Sequence, residues 1–130
     1  MCLYSKKLFP KRAEKDIICY KYLMYEDSTL VTPVTKTKVT EDQLKRKVPF
    51  KARFSLGLVS ITFDSDNSIV FGISRGWIHT CKQPSNDEYY RSIITYKCII
   101  PKGTLYYENM FGNEYASKEI KFIEKYYENY

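Results

Sequence analysis

Arg75, Trp77 and His79 stand at alternate positions, and on a strand that spacing turns all three side chains to one face. A guanidinium that can hold phosphate, an indole that can stack a flat ring and an imidazole beside them are the parts of a nucleotide-binding surface. Cys81 continues the alternation, and a thiol near an imidazole is the pairing of a nucleophile with its base. No third group is spaced to orient that pair, so these residues are expected to bind rather than to turn over a ligand. Cys2, Cys19, Cys81 and Cys98 contain no C-x-x-C spacing and are joined by one histidine. That excludes the short chelate turns of a structural zinc site. Asp64-Ser65-Asp66-Asn67 begins like a calcium loop, but the central glycine and the closing glutamate are absent, so it reads as a turn.

These groups need strands to carry them. Ile17 to Met24 is β-branched and aromatic, as a buried strand should be. Leu30 to Lys38, Phe54 to Phe63, Ile69 to Ile73, Gly76 to Cys81, Ile93 to Ile100 and Leu105 to Tyr107 read as further strands, parted by turn residues. Lys118 to Lys125 reads as a last strand or a short helix. Thr40-Glu41-Asp42-Gln43 and Ser85-Asn86-Asp87-Glu88 are capping boxes, each opening a short helix, the second running through Arg91. The expectation is an α+β fold, a small antiparallel domain of six to eight short strands with two short helices. It occupies the whole chain, with a basic segment at 1–16 and a frayed tail at 126–130. Cys19 and Cys98 are expected in the core as reduced, cytosolic thiols. Tyr106-Tyr107 sends one ring to each sheet face.

The 130 residues are 44% hydrophobic and 16% aromatic, which excludes a chain disordered throughout. No apolar run reaches the ~20 residues a bilayer span needs, and no secretory signal opens the chain. The net charge of +6 is lopsided: residues 1–53 hold 13 Lys/Arg against 6 Asp/Glu, and residues 54–130 hold 8 against 9. Two clusters supply the excess, Lys6, Lys7, Lys11, Arg12 and Lys15, then Lys45, Arg46, Lys47, Lys51 and Arg53. A field of that sign concentrates phosphate, nucleic acid or an acidic protein face. Thirteen tyrosines add flat area suited to stacking, with Tyr20, Tyr22, Tyr89, Tyr90, Tyr106, Tyr107 and Tyr115 as candidates.

Gly76-Trp77-Ile78-His79, then Ile100-Pro101-Lys102-Gly103-Thr104-Leu105-Tyr106-Tyr107, then Tyr115-Ala116-Ser117-Lys118-Glu119-Ile120 form a recognisable series. Over residues 70–123 it resembles a group of small, mostly uncharacterised bacterial and phage proteins with an IPKG-x-x-YY and a YAS-x-x-I element. The resemblance implies a compact β-rich accessory domain of phage type and carries no activity with it. The same IPKGT element is more distantly similar to the last third of mono-ADP-ribosyltransferase folds. There the catalytic glutamate would fall on Glu114 or Glu119. The Ser-Thr-Ser element and the Glu-x-Glu pair of that family are missing, so the likeness implies a nucleotide-shaped cleft more than an enzyme.

The expected function is a non-enzymatic binding module for an anionic ligand of nucleotide type, such as a signal that a phage counter-defence protein would sequester in the host cytoplasm. Arg75, Trp77, His79, Lys102, Tyr106 and Tyr107 are the expected ligand-binding residues, with no cofactor, metal or membrane partner. The alternatives are docking on nucleic acid or on an acidic protein, and an enzyme acting through His79 with Glu114 or Glu119.

Overall fold

A strand of alternating faces dominates the middle of the fold. In β3 (Ile17–Glu26) Cys19, Lys21 and Leu23 are buried while Ile18, Tyr20 and Tyr22 turn the other way, the period-two pattern of a sheet with one inner face. It pairs along its length with β9 (Ile93–Ile100), which places Cys19 directly opposite Cys98. The computed structural model describes residues 3–33, 35–52, 59–84 and 93–126. Outside the described residues lie the expected helix at 85–91, the start of the expected strand at 54–58, Cys2, Arg53, Tyr89, Tyr90 and the tail at 127–130.

The larger sheet has nine strands, all antiparallel. Its path runs from β2 (Lys11–Arg12) through β10 (Leu105–Glu108), β11 (Glu114–Ser117) and β8 (Ile78–Cys81) to β3. It continues through β9 and β12 (Glu119–Lys125) to β5 (Phe50–Lys51), with β4 (Thr29–Val31) as a hairpin partner of β3. That hairpin turns on Asp27 and Ser28, both at positive φ (49° and 66°), as a two-residue turn matched to the strand twist requires. Only Lys118 separates β11 from β12, so the path from β11 to β12 starts and finishes in one stretch of chain and the sheet curls round into a barrel that stays open between its end strands β2 and β5. Lys118 serves both sides of the kink: its N–H donates to the Leu105 carbonyl, 3.1 Å, and its carbonyl accepts from Ala52 N–H, 2.7 Å.

The barrel interior is the main core. Cys19, Leu23, Cys98, Ile100, Ile120 and Phe122 are all 0% exposed there. The Phe122 ring meets Phe50 and Tyr96 edge-on, each at 5.7 Å. Helix α1 (Glu41–Lys45) lies against β12, and its Leu44 packs on this core. Thr40 Oγ1 accepts from Gln43 N–H while Gln43 Oε1 accepts from Thr40 N–H, the expected capping box.

A second sheet of three strands, β1 (Leu3–Ser5), β7 (Ile69–Ile73) and β6 (Val59–Phe63), covers the outer face of the barrel. Between them sits a smaller core of Leu3, Ile73, Trp77, Tyr107 and Ala116. Tyr106 packs with the barrel core and Tyr107 with this one, so the two rings do take opposite faces.

The α+β expectation is corrected. Among the described residues there are twelve strands in two antiparallel sheets and one five-residue helix, an all-β arrangement. Strands of two to four residues (β1, β2, β4, β5, β8, β10, β11) are too short to show an alternation that a sequence can reveal. The described residues between β4 and Lys38 form no strand, and Lys38 returns to Val31 by an isolated bridge, so the expected strand does not run on to Lys38. No helix among the described residues is long and apolar enough to cross a membrane.

Candidate functional site

The two basic clusters behave differently. In the second, Lys45 Nζ lies 2.6 Å from Glu41 Oε1, Arg46 Nη1 3.1 Å from Asp42 Oδ1, and Lys51 is the register partner of Glu119. Lys45 and its neighbour Arg46, the helix C-cap, each follow an anion by one turn, so the charge at the helix is answered locally. Lys6, Lys7 and Lys11 belong to the first cluster, are exposed, and form no ion pair among the described residues.

Those three lysines line a hollow of about 300 Å³. Ser5, Phe9 and the lysines form one wall; Tyr106 to Met110 and Gly112 form the other. The walls are fixed by the barrel. Lys11 is the register partner of Tyr106 in β2 and β10. The Tyr107 hydroxyl donates to the Leu8 carbonyl at 2.6 Å, and Met110 N–H donates to the Tyr4 carbonyl at 2.7 Å. Ser5 Oγ takes the Lys7 N–H at 3.0 Å and donates back to the Lys7 carbonyl at 3.1 Å, which sets the bend that presents Lys6 and Lys7. Gly112, at φ +72°, closes the turn on the far wall, in a region that favours glycine.

Cations outnumber carboxylates at this hollow. Asp66, outside the lining, has its pKa lowered by hydrogen bonds with Asp64 and Ser68, and Lys6 lies close enough for its ammonium to help. The one carboxylate in the lining, Glu108, is held by Lys82, whose ammonium also lies 5.3 Å from the Tyr115 ring centre. Phe9 is 77% exposed and contributes nothing to either core. Asn109 is buried beneath the hollow, donating from Nδ2 to Asn113 Oδ1 at 2.5 Å, while its own Oδ1 has no partner among the described residues. Burial raises the Tyr107 phenol pKa, so it remains a donor.

Of the expected site residues, Tyr106 and Tyr107 line the hollow, while Arg75, Trp77, His79 and Lys102 lie outside its lining. Arg75 and Trp77 precede β8, in a turn where Trp77 N–H donates to the Ser74 carbonyl at 3.2 Å. Strand alternation therefore does not govern 75, 77 and 79 as a set. Trp77 is 6% exposed, edge-on to Tyr107 at 5.0 Å, with the Lys118 ammonium 4.1 Å above its ring. It reaches the hollow only through Tyr107. Lys102 is exposed on the turn after β9, where its N–H donates to Asp16 Oδ1 and Gly103 sits at φ +87°. Glu114 is the register partner of Cys81, and Glu119 of Lys51. Phe9 and Asn109 are not among the residues expected from sequence; a phenylalanine set among lysines and just before Pro10 is the available signal.

His79 is 8% exposed, and its Nε2 donates to the Ser74 carbonyl at 2.9 Å in the neutral tautomer that this geometry implies. Burial, then the Arg75 charge, pushes its pKa down to about 4. Nearby, the Lys21 ammonium donates to the His79 carbonyl at 2.8 Å, at the end of β8 that β3 leaves unpaired beyond Tyr20 and Cys81. Burial draws the pKa of Lys21 down to about 8.

The His79 shift gives a pH prediction. Above pH 6.5 the imidazole is neutral in both folded and unfolded chains and its titration costs nothing. As pH falls from 6.5 towards 4 the unfolded chain takes up the proton first, so stability falls by about 2–3 kcal/mol at pH 4.5. Urea unfolding at pH 7 and pH 4.5 should show this loss in the native chain and a smaller one in His79→Gln, whose amide keeps the Ser74 hydrogen bond without titrating. An equal loss in both proteins would remove His79 as its source.

Comparison with protein-family models, with curated proteins and with solved structures finds no match to this chain.

Proposed function

We propose that the protein is a non-enzymatic binding module for an anionic ligand of nucleotide type, taken into the hollow between β1–β2 and β10. The carrying observation is that three lysines without ion pairs among the described residues and one exposed phenyl ring border the same cavity. Lys6, Lys7 and Lys11 neutralise phosphate oxygens, and Phe9 offers its face to a base. The fixed walls keep the site formed before the ligand arrives, which limits the ordering cost of binding. A volume of about 300 Å³ is at the small end of ligand pockets and suits one nucleotide unit. On the resemblance to small phage proteins, the use this implies is sequestration of a nucleotide signal in the host cytoplasm.

Isothermal titration with adenosine, AMP, ADP and ATP tests this. Affinity is expected to rise with each phosphate, to be weakest for adenosine, and to fall between 50 and 200 mM salt as counterion exchange requires. Equal affinity for adenosine and ATP, or no heat with any of them, would overturn the reading.

A further inference from the structure

Two features at the hollow exceed what one nucleotide needs. Phe111, in the turn between β10 and β11, is 75% exposed and stands between the lining residues Met110 and Gly112. Phe111 is not itself part of the lining, so its open ring stands beside the hollow, whereas Phe9 lines it. Positive charge also runs on past the cavity. Arg12 follows Lys11 on β2 and reaches the Gly103 carbonyl at 3.0 Å, next to exposed Lys102. This is one edge of the larger sheet, since among the described residues β2 pairs on one side only. A mononucleotide in the hollow would leave Phe111 and these cations unused.

Resting on the binding function proposed above, we infer that the ligand is a single-stranded nucleic acid several nucleotides long. One nucleotide fills the hollow, neighbouring bases stack on Phe9 and Phe111, and the phosphate backbone follows the edge of β2. Open aromatic faces beside a basic track are what unpaired bases recognise; a duplex hides its base faces and can use only the charge.

Fluorescence anisotropy with fluorescein-labelled dT2, dT4 and dT8, with rU8, and with a duplex of eight base pairs tests the inference, alongside titration of AMP. Affinity is expected to rise from dT2 to dT8 and to be higher for dT8 or rU8 than for the duplex. The two octamers report whether DNA or RNA is preferred. Phe111→Ala is expected to weaken dT8 binding about tenfold and leave AMP unchanged, and Phe111→Trp to restore dT8 binding. Neither variant threatens folding at so exposed a site. Binding of AMP with no gain in length, or equal affinity for the duplex, or no effect of Phe111→Ala on dT8, would overturn this inference while the nucleotide reading stands. No binding of AMP or of any oligomer would remove both.

Discussion

Trp77→Ala is expected to destabilise the protein by about 3–5 kcal/mol, the cost of deleting a large buried aromatic side chain. Its ring joins the two sheets: Leu3 and Ile73 lie in the same cluster from one, Tyr107 and Ala116 from the other. Removing it also strips Tyr107 of its edge-on partner and the Lys118 ammonium of the ring it covers. Total stabilities of small domains are about 5–15 kcal/mol, so the loss is a large share of the whole. Trp77→Phe should cost far less, within about 1.5 kcal/mol. It keeps most of the ring and removes an indole N–H that is buried without a partner among the described residues, a group whose burial is itself unfavourable. Urea unfolding of the three proteins checks the ordering. A native-like midpoint for Trp77→Ala would show that the sheets are held together elsewhere. Ligand affinity should fall in Trp77→Ala too, since Tyr107 forms part of the hollow and leans on this ring.

The second large effect is on binding. Replacing Lys6, Lys7 and Lys11 together with glutamine takes the net charge from +6 to +3 and should weaken ATP binding about 100-fold in moderate salt. The slope of log affinity against log salt should fall by about one for each phosphate that the protein no longer neutralises. Stability should change by less than about 0.5 kcal/mol, because the three side chains are exposed and without ion pairs among the described residues. A matched control removes the same charge elsewhere: Lys45, Arg46 and Lys51 to glutamine. Those cations face Glu41, Asp42 and Glu119, so ATP affinity should change only a few-fold. Equal losses in the two triple variants would mean that net charge, not the hollow, attracts the ligand.

The α+β class read from the sequence was wrong, but several strands of the larger sheet were legible, β3 and β9 most clearly because they are long and rich in β-branched and aromatic residues. Cys19 and Cys98, inferred to be small core residues, are fully buried and face each other across β3 and β9. The Thr40 capping box opens a helix, and the Tyr106-Tyr107 pair divides between two cores. In each case the signal is local, a spacing of two or three residues that fixes a direction or a hydrogen bond. Where the signal had to come from a short strand it failed. Trp77 lies just before β8, in a turn, so the shared strand face inferred for 75, 77 and 79 does not apply.

What the residues determined alone, then, is the strand character of β3 and β9, the burial of Cys19 and Cys98, one helix start, several turns, and a positive excess confined to the first 53 positions. Folding decided the rest. That the larger sheet curls round between β11 and β12, that three further strands lie over its outer face, and that Lys11 meets Tyr106 are pairings between distant positions. Such pairings depend on which unsatisfied edges and apolar faces find each other, and local periodicity carries no record of that choice. The same reason hid the difference between the two lysine clusters. Both look alike as composition, yet Lys45 and Arg46 fold into ion pairs beside their helix while Lys6, Lys7 and Lys11 line a hollow that also carries aromatic rings.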